Sequence, residues 1–203
     1  MSIIMESLTS FFLYAVMAIF AQNILFARAL GVSRLIKLVE EPSKDTFIFC
    51  GCVCTIQLIS APFAFLINRY FLSHLSWRAA IRPLVMLICV SIALGIVIVA
   101  LGALKVTWTS KIIPILPMAT FSCAVLGCLF LTTAQNFNFM ETMGFALGCG
   151  VGYTLAVMAV VEGQRKIRHR AIPISFRGLP VTLLYIAVLA LAIYGFTGHM
   201  GSI

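Results

Sequence analysis

Charge is what this sequence has least of. Of its 203 residues, six are acidic and 14 are Lys or Arg, so charged residues make up 10% of the chain against 62% hydrophobic ones. Soluble domains carry about a quarter charged residues, which excludes a soluble globular protein and predicts an integral membrane one. The acidic residues all sit at or beyond the ends of apolar stretches, so the buried carboxylates that typify proton relays are missing. Histidine is equally sparse. His74, His169 and His199 fall in loops or the tail, none with a nucleophile and an orienting carboxylate at the same depth, which argues against hydrolytic triad chemistry. The seven cysteines do not form a disulfide framework, and most are expected to pack as small hydrophobes.

Long uncharged runs are what the chain has in quantity. Scanning for stretches of about 20 residues gives six: Leu8 to Ala27, Thr46 to Asn68, Pro83 to Leu104, Ile112 to Ala134, Thr142 to Val161 and Gly178 to Thr197. The expected architecture is all-α, with six transmembrane helices in a single membrane domain spanning residues 1–203. The net charge of +8 is explained by its distribution, without a nucleic-acid partner. Loops after the first, third and fifth segments carry Arg28, Arg34, Lys37, Lys44, Lys105, Lys111, Arg165, Lys166, Arg168, Arg170 and Arg177; the opposite face holds Arg69, Arg78 and Arg82. The positive-inside rule then puts both termini outside and the Arg165–Arg177 loop in the cytoplasm. The first segment opens on Glu6 without a basic leader, so it is read as retained rather than as a signal peptide. Trp77, Trp108, Tyr70 and Tyr194 lie near segment ends, as interfacial anchors do.

Three segments followed by three more predict a 3+3 inverted repeat, with repeat 1 over about residues 4–104 and repeat 2 over about 110–200. The leading segment of each half is interrupted, at Ala21–Ser33 and at Pro114–Gly127. A backbone freed of its hydrogen bonds in hydrocarbon costs several kcal/mol per group, so breaks occur where protein or a cavity supplies partners. The two interruptions are expected to meet at mid-membrane, shaped by Asn23, Gly31, Pro117 and Gly127, with Cys123 at their junction. An ion path there would have to use backbone carbonyls and hydroxyls such as those of Thr120 and Ser122. Gly144, Gly148 and Gly152 have the spacing that lets neighbouring helices approach closely.

Other thiols are poorly arranged for metal. On a helix, Cys50 and Cys54 share a face while Cys52 points away, and no His or carboxylate lies in that run to complete a tetrahedral shell. Cys123 and Cys128 are offset by roughly 140° around a helix. Packing is the simpler reading of each, Cys123 included.

Three short motifs carry a resemblance. Asn23-Ile-Leu-Phe-Ala-Arg-Ala-Leu-Gly31, Phe121-Ser-Cys-Ala-Val-Leu-Gly127 and Ile174-Ser-Phe-Arg-Gly178 resemble, in order and spacing, the signatures of the Rnf/Nqr membrane-subunit family. The resemblance covers essentially the whole chain. It implies a subunit of an electron-transport complex that moves Na⁺ or H⁺ across a bacterial or archaeal cytoplasmic membrane, working beside a homologous sister subunit of opposite orientation. It also implies a [2Fe–2S] cluster between the two subunits, to which each contributes two cysteines, one per interrupted segment. The cluster would relay electrons between a ferredoxin-like or NADH-oxidising face and flavins on the other. Carried over by position, one ligand falls on Cys123 and the other on Ser33, where the family reads Leu-Gly-x-Cys and this chain reads Leu30-Gly-Val-Ser33.

That departure leaves three readings open. Ser33 is an oxygen ligand, a poorer one than thiolate; or another thiol, Cys128 or Cys149, takes its place; or the chain kept the scaffold and lost the redox centre, acting as a membrane transporter or accessory scaffold. In none of them is the chain catalytic alone, because one or two ligands do not hold a cluster that needs four.

Overall fold

Uncharged sequence of bilayer length folds as helix because a backbone in lipid has to satisfy its own hydrogen bonds. The computed structural model describes residues 2–40, 45–72, 77–104, 109–167 and 178–197. Among these residues the chain is helical apart from short turns and breaks, with no strand: α1 (Ser2–Ile19), α2 (Ile24–Arg28), α3 (Val32–Glu40), α4 (Asp45–Tyr70), α5 (Arg78–Leu104), α6 (Thr109–Thr120), α7 (Cys123–Ala134), α8 (Phe139–Ile167) and α9 (Leu179–Thr197). Trp108, the three histidines and Ile174–Arg177 of the third motif lie outside the described residues.

Three stretches are long and apolar enough to cross a membrane: Thr46–Tyr70, Ala80–Ala103 and Phe139–Lys166. A fourth is the pair Ile112–Thr120 and Cys123–Ala134, bent by 43° at its break. The first and last expected segments are shorter apolar helices, Met5–Ile19 and Leu179–Gly195. The first is cut short because Asn23 captures the N–H groups of Leu25 and Phe26 and starts a new helix, so α1 ends at Ile19 instead of running to Ala27.

Two residues expected at the breaks are elsewhere. Pro117 lies inside α6, and Gly127 lies inside α7. A proline deletes only its own N–H and kinks its helix, and here α6 continues past it to Thr120. The interruption falls at Phe121–Ser122, where Ser122 adopts an extended conformation and its hydroxyl accepts from the Val125 N–H at 3.4 Å.

The centre of the bundle is α8, against which α1, α4, α7 and α9 pack. Its glycines form the seat for α1: a Cβ on Gly144 would strike the carbonyl of Phe11, and one on Gly148 the carbonyl of Ala15. One turn further, a Cβ on Gly152 would lie 3.1 Å from the Cα of Ile19. Small residues at every fourth position thus let two backbones touch. The buried core gathers Phe49, Ile56, Leu129, Phe145 and Tyr153. Outward faces of α5 and α9 stay apolar, with Ile88, Val99, Val188 and Leu191 exposed for lipid or protein to cover. Tyr70, Trp77 and Tyr194 are exposed as well.

Candidate functional site

The first break is built by two caps in succession. Asn23 is the N-cap of α2: its side-chain oxygen accepts from the N–H of Leu25 at 3.0 Å and of Phe26 at 3.4 Å. Its amide nitrogen donates to the carbonyls of Ile19, at 2.9 Å, and Gly152, at 3.0 Å. One side chain therefore ends α1, begins α2 and ties both to α8. Ala29 then turns left-handed at φ 54°, and Gly31, at φ 88°, reverses the chain into α3. The glycine is required twice over, for its left-handed conformation and for space, since a Cβ there would sit 3.0 Å from the Tyr153 ring.

The second break is simpler. Thr120 and Ser122, the hydroxyls available to an ion path, are both committed locally: the Thr120 hydroxyl donates to the Leu116 carbonyl at 2.7 Å, and Ser122 caps α7. Only then does Cys123 begin α7.

The two breaks pack against each other. A Cβ on Gly31 would be 3.5 Å from the Cβ of Ala124, and one on Gly127 would strike the side chain of Leu30. Gly127 is thus a notch for Leu30 and not a helix breaker. Ser33, two residues past Gly31, and Cys123, one before Ala124, are both exposed. The side chains nominated as ligands therefore face outward, beside a junction that is itself closed.

Buried around the junction are two polar residues that sequence reasoning missed. Gln57 is fully buried and its amide nitrogen donates to the Ala124 carbonyl, in the first turn of α7, at 3.3 Å. Tyr153, also buried, tilts against Phe49 with ring centroids 6.5 Å apart, and the Arg34 guanidinium lies 5.1 Å over the Phe49 ring. Neither Gln57 Oε1 nor the Tyr153 hydroxyl has a hydrogen-bond partner among the described residues. A glutamine inside the apolar run Thr46–Asn68 was the available signal, because polar side chains at membrane depth are costly and are kept for a purpose.

The other thiols are placed differently from Cys123. Cys50, Cys52, Cys89, Cys128 and Cys149 are buried, and Cys54 is half-buried against Gly150. Cys128 and Cys149 are buried neighbours of each other, unlike the exposed Cys123 and Ser33. Among the described residues, no group of three or more His, Cys, Asp or Glu is placed to hold a metal ion. Near the junction, the exposed side chains among those nominated are the Cys123 thiol and the Ser33 hydroxyl.

Asn23→Ala is expected to destabilise the fold by about 2 kcal/mol, combining the loss of a cap with buried carbonyls left unpaired. Thermal unfolding in detergent measures it, and Asn23→Asp, which keeps the cap acceptor but turns a carboxylate oxygen on the Ile19 and Gly152 carbonyls, should be no more stable than Asn23→Ala.

A family model described as "Rnf-Nqr subunit, membrane protein" matches residues 11–200. Among named relatives, the chain is similar to the A-type component of the Na(+)-translocating ferredoxin:NAD(+) oxidoreductase complex of Acetobacterium woodii, with 27% identity over 189 residues, 89% of its length and 93% of the relative's. It is similar also to the E-type component of the Na(+)-translocating NADH-quinone reductase of Maridesulfovibrio salexigens, with 24% identity over 204 aligned residues, 96% of its length and 98% of the relative's. A shorter match, 40% identical over 83 residues, covers 41% of this chain and 43% of the A-type component of the ion-translocating oxidoreductase complex of Syntrophotalea carbinolica.

Proposed function

The chain belongs to the Rnf-Nqr family of membrane subunits, and from that premise we propose that it serves as the A-type or E-type component of an ion-translocating electron-transport complex. Its relatives along nearly their whole length are components of such complexes by name. On this reading it sits in a bacterial or archaeal cytoplasmic membrane with both termini outside, beside a homologous sister subunit, and is not active alone.

The six-helix inverted repeat is part of the proposal, and the packing pattern supports it. Let α1 exchange with α6, the α2–α3 segment with α7, α4 with α8, and α5 with α9. The contact α1·α8 then becomes α6·α4, α4·α5 becomes α8·α9, α2·α9 becomes α7·α5 and α2·α8 becomes α7·α4, while α4·α8 and α2·α7 map onto themselves. The exchanged contacts differ in extent, α1·α8 and α4·α5 being the more extensive of their pairs, and α5·α6 and α7·α8 have no counterpart of note. This partial exchange of neighbours supports a pseudo-twofold of the kind found in inverted repeats.

The observation that carries the redox reading is that Cys123 and Ser33 are both exposed, on the two segments that Gly31 and Ala124 bring together. In this reading Cys123 is the ligand this chain gives to a [2Fe–2S] cluster shared with the sister, and Ser33 is its weak oxygen partner. Such a cluster, when bound, carries one electron between the donors and acceptors on the two membrane faces. This chain's own contribution is to hold Cys123 at the start of a capped helix and to keep water out behind it with Gly31, Ala124 and Tyr153.

Ser33 favours a second reading, in which the scaffold persists without a redox centre and works as a transporter or accessory scaffold. Iron and acid-labile sulfide analysis of the purified complex, with electron paramagnetic resonance after reduction, separates the two. A reduced [2Fe–2S] signal supports electron transfer. An assembled complex free of iron at this position removes it and leaves the second reading.

A further inference from the structure

Away from the two breaks, a polar cavity of about 220 Å³ opens where three spans have an end in common. Its walls are Asn68, Arg69 and Leu72 after the apolar stretch of α4, Arg82 before that of α5, and Asn136 to Asn138 before α8, with Phe65 beneath. All of these lie at one membrane boundary by their position along the spans, opposite the basic loops. The proposed orientation puts that boundary outside, the face that the positive-inside rule leaves poor in cations. Two of the three arginines assigned to that face nevertheless converge on one cavity. Topology does not ask for them there, so a local ligand does.

The side chains are prepared for an anion. Arg82 Nε is buried and has no hydrogen-bond partner among the described residues, a donor whose desolvation is uncompensated. The Arg69 guanidinium is held 5.8 Å over the ring of Phe65, which lines the same cavity. Three asparagine amides add neutral donors. Asn136 is exposed and left-handed at φ 52°, a conformation that Asn and Asp tolerate better than other side chains. The 29-residue helix α8 begins just past Asn138, so the positive end of its dipole faces the same space. The nearby carboxylate, Glu141, is engaged: its Oε2 accepts from the Asn138 N–H at 2.9 Å. Two guanidiniums against one carboxylate leave the cavity net positive.

We propose that this cavity binds a phosphate group, that of an outer-leaflet phospholipid, through Arg69 and Arg82. Guanidinium forks match phosphate oxygens in pairs, and a cavity floored by Phe65, Leu72 and Phe137 at the edge of the hydrocarbon suits a headgroup whose acyl chains continue along the exposed face of α5. The proposal rests on the membrane placement above and is independent of any cluster.

The test uses the full chain, purified in uncharged detergent and stripped of lipid. Dioleoylphosphatidylglycerol, dioleoylphosphatidylcholine and inorganic phosphate are titrated separately, with lipid retention read by native mass spectrometry and the midpoint of thermal unfolding read in parallel. One retained phosphatidylglycerol per chain and a rise of several degrees are expected, with about tenfold weaker binding in R82Q and near-normal binding in R82K. Asn136→Asp is exposed and conformationally matched, so it folds, and its added negative charge should weaken binding comparably. If inorganic phosphate alone reproduces the shift and no lipid is retained, the phosphate site stands with a soluble ligand and the lipid assignment falls. Unchanged retention in R82Q and Asn136→Asp, or equal losses in a control at the distant Arg28→Gln, overturns the proposal.

Discussion

Cys123→Ala is expected to abolish the reduced [2Fe–2S] signal of the assembled complex while leaving the protein folded. The two halves of that expectation come from one feature, the position of Cys123 as the exposed first residue of α7. Its side chain is exposed, Ser122 rather than Cys123 caps the helix, and alanine is the best helix former. The change in stability should therefore stay within about 0.5 kcal/mol. A cluster relying on this chain for a single thiolate has no substitute for it, since Cys128 and Cys149 are buried and engaged with each other. Ser33→Cys supplies the opposite arm. A second thiolate in place of a hydroxyl should slow the loss of iron to a chelator and shift the spectrum, because sulfur is the better donor to such a centre. A signal that persists unchanged in Cys123→Ala, from a complex still containing this chain, would refute the ligand assignment.

The sequence displayed most of the helical layout and less of the site. Apolar runs of bilayer length mark helices wherever they occur, and each expected segment has a helix at its place. Breaks are harder to read. Pro114 and Pro117 drew attention because proline is the commonest helix breaker, yet both lie within α6; the true interruption depends on Ser122 offering a cap, a weaker and more common signal. Asn23 was recognisable as a shaping residue from its motif. What it shapes depends on the carbonyl of Gly152, 129 residues away, and no local pattern encodes a partner at that distance. Tyr153 was invisible for the same reason, being one aromatic in an apolar helix until Gly31 folds against it. Gln57 was legible as a polar residue in lipid-length sequence, though its partner, the Ala124 carbonyl, was not. The third motif, apart from Gly178, lies outside the described residues, so its part in the site stays an expectation.

The glycine ladder joins these two scales, and it yields the largest expected effect on stability. Gly148→Val is expected to destabilise the protein by about 3 kcal/mol, at the upper end of what overpacking costs. The reason is what the new side chain would meet. Even its Cβ would collide with the Ala15 carbonyl and come within 2.8 Å of the Ala18 Cβ, and backbone cannot move aside as a flexible side-chain tip can. Helix α1 must lift, and its far end carries Ile19 and Asn23. The Asn23–Gly152 hydrogen bond, 3.0 Å long, would then be lost, and with it the anchor of the first break. Gly95→Ala gives the contrast, since a Cβ at Gly95 meets nothing within 4 Å; there the helix should gain about 0.5–1 kcal/mol from alanine's better propensity. Both variants are compared by unfolding in detergent, with maleimide labelling of Cys123 as a local probe of the break. If Gly148→Val unfolds no more readily than Gly95→Ala, the close approach of α1 to α8 is not what holds the break in place. If it unfolds more readily and Cys123 labels faster below the transition, the ladder is transmitting helix packing to the thiol at the surface.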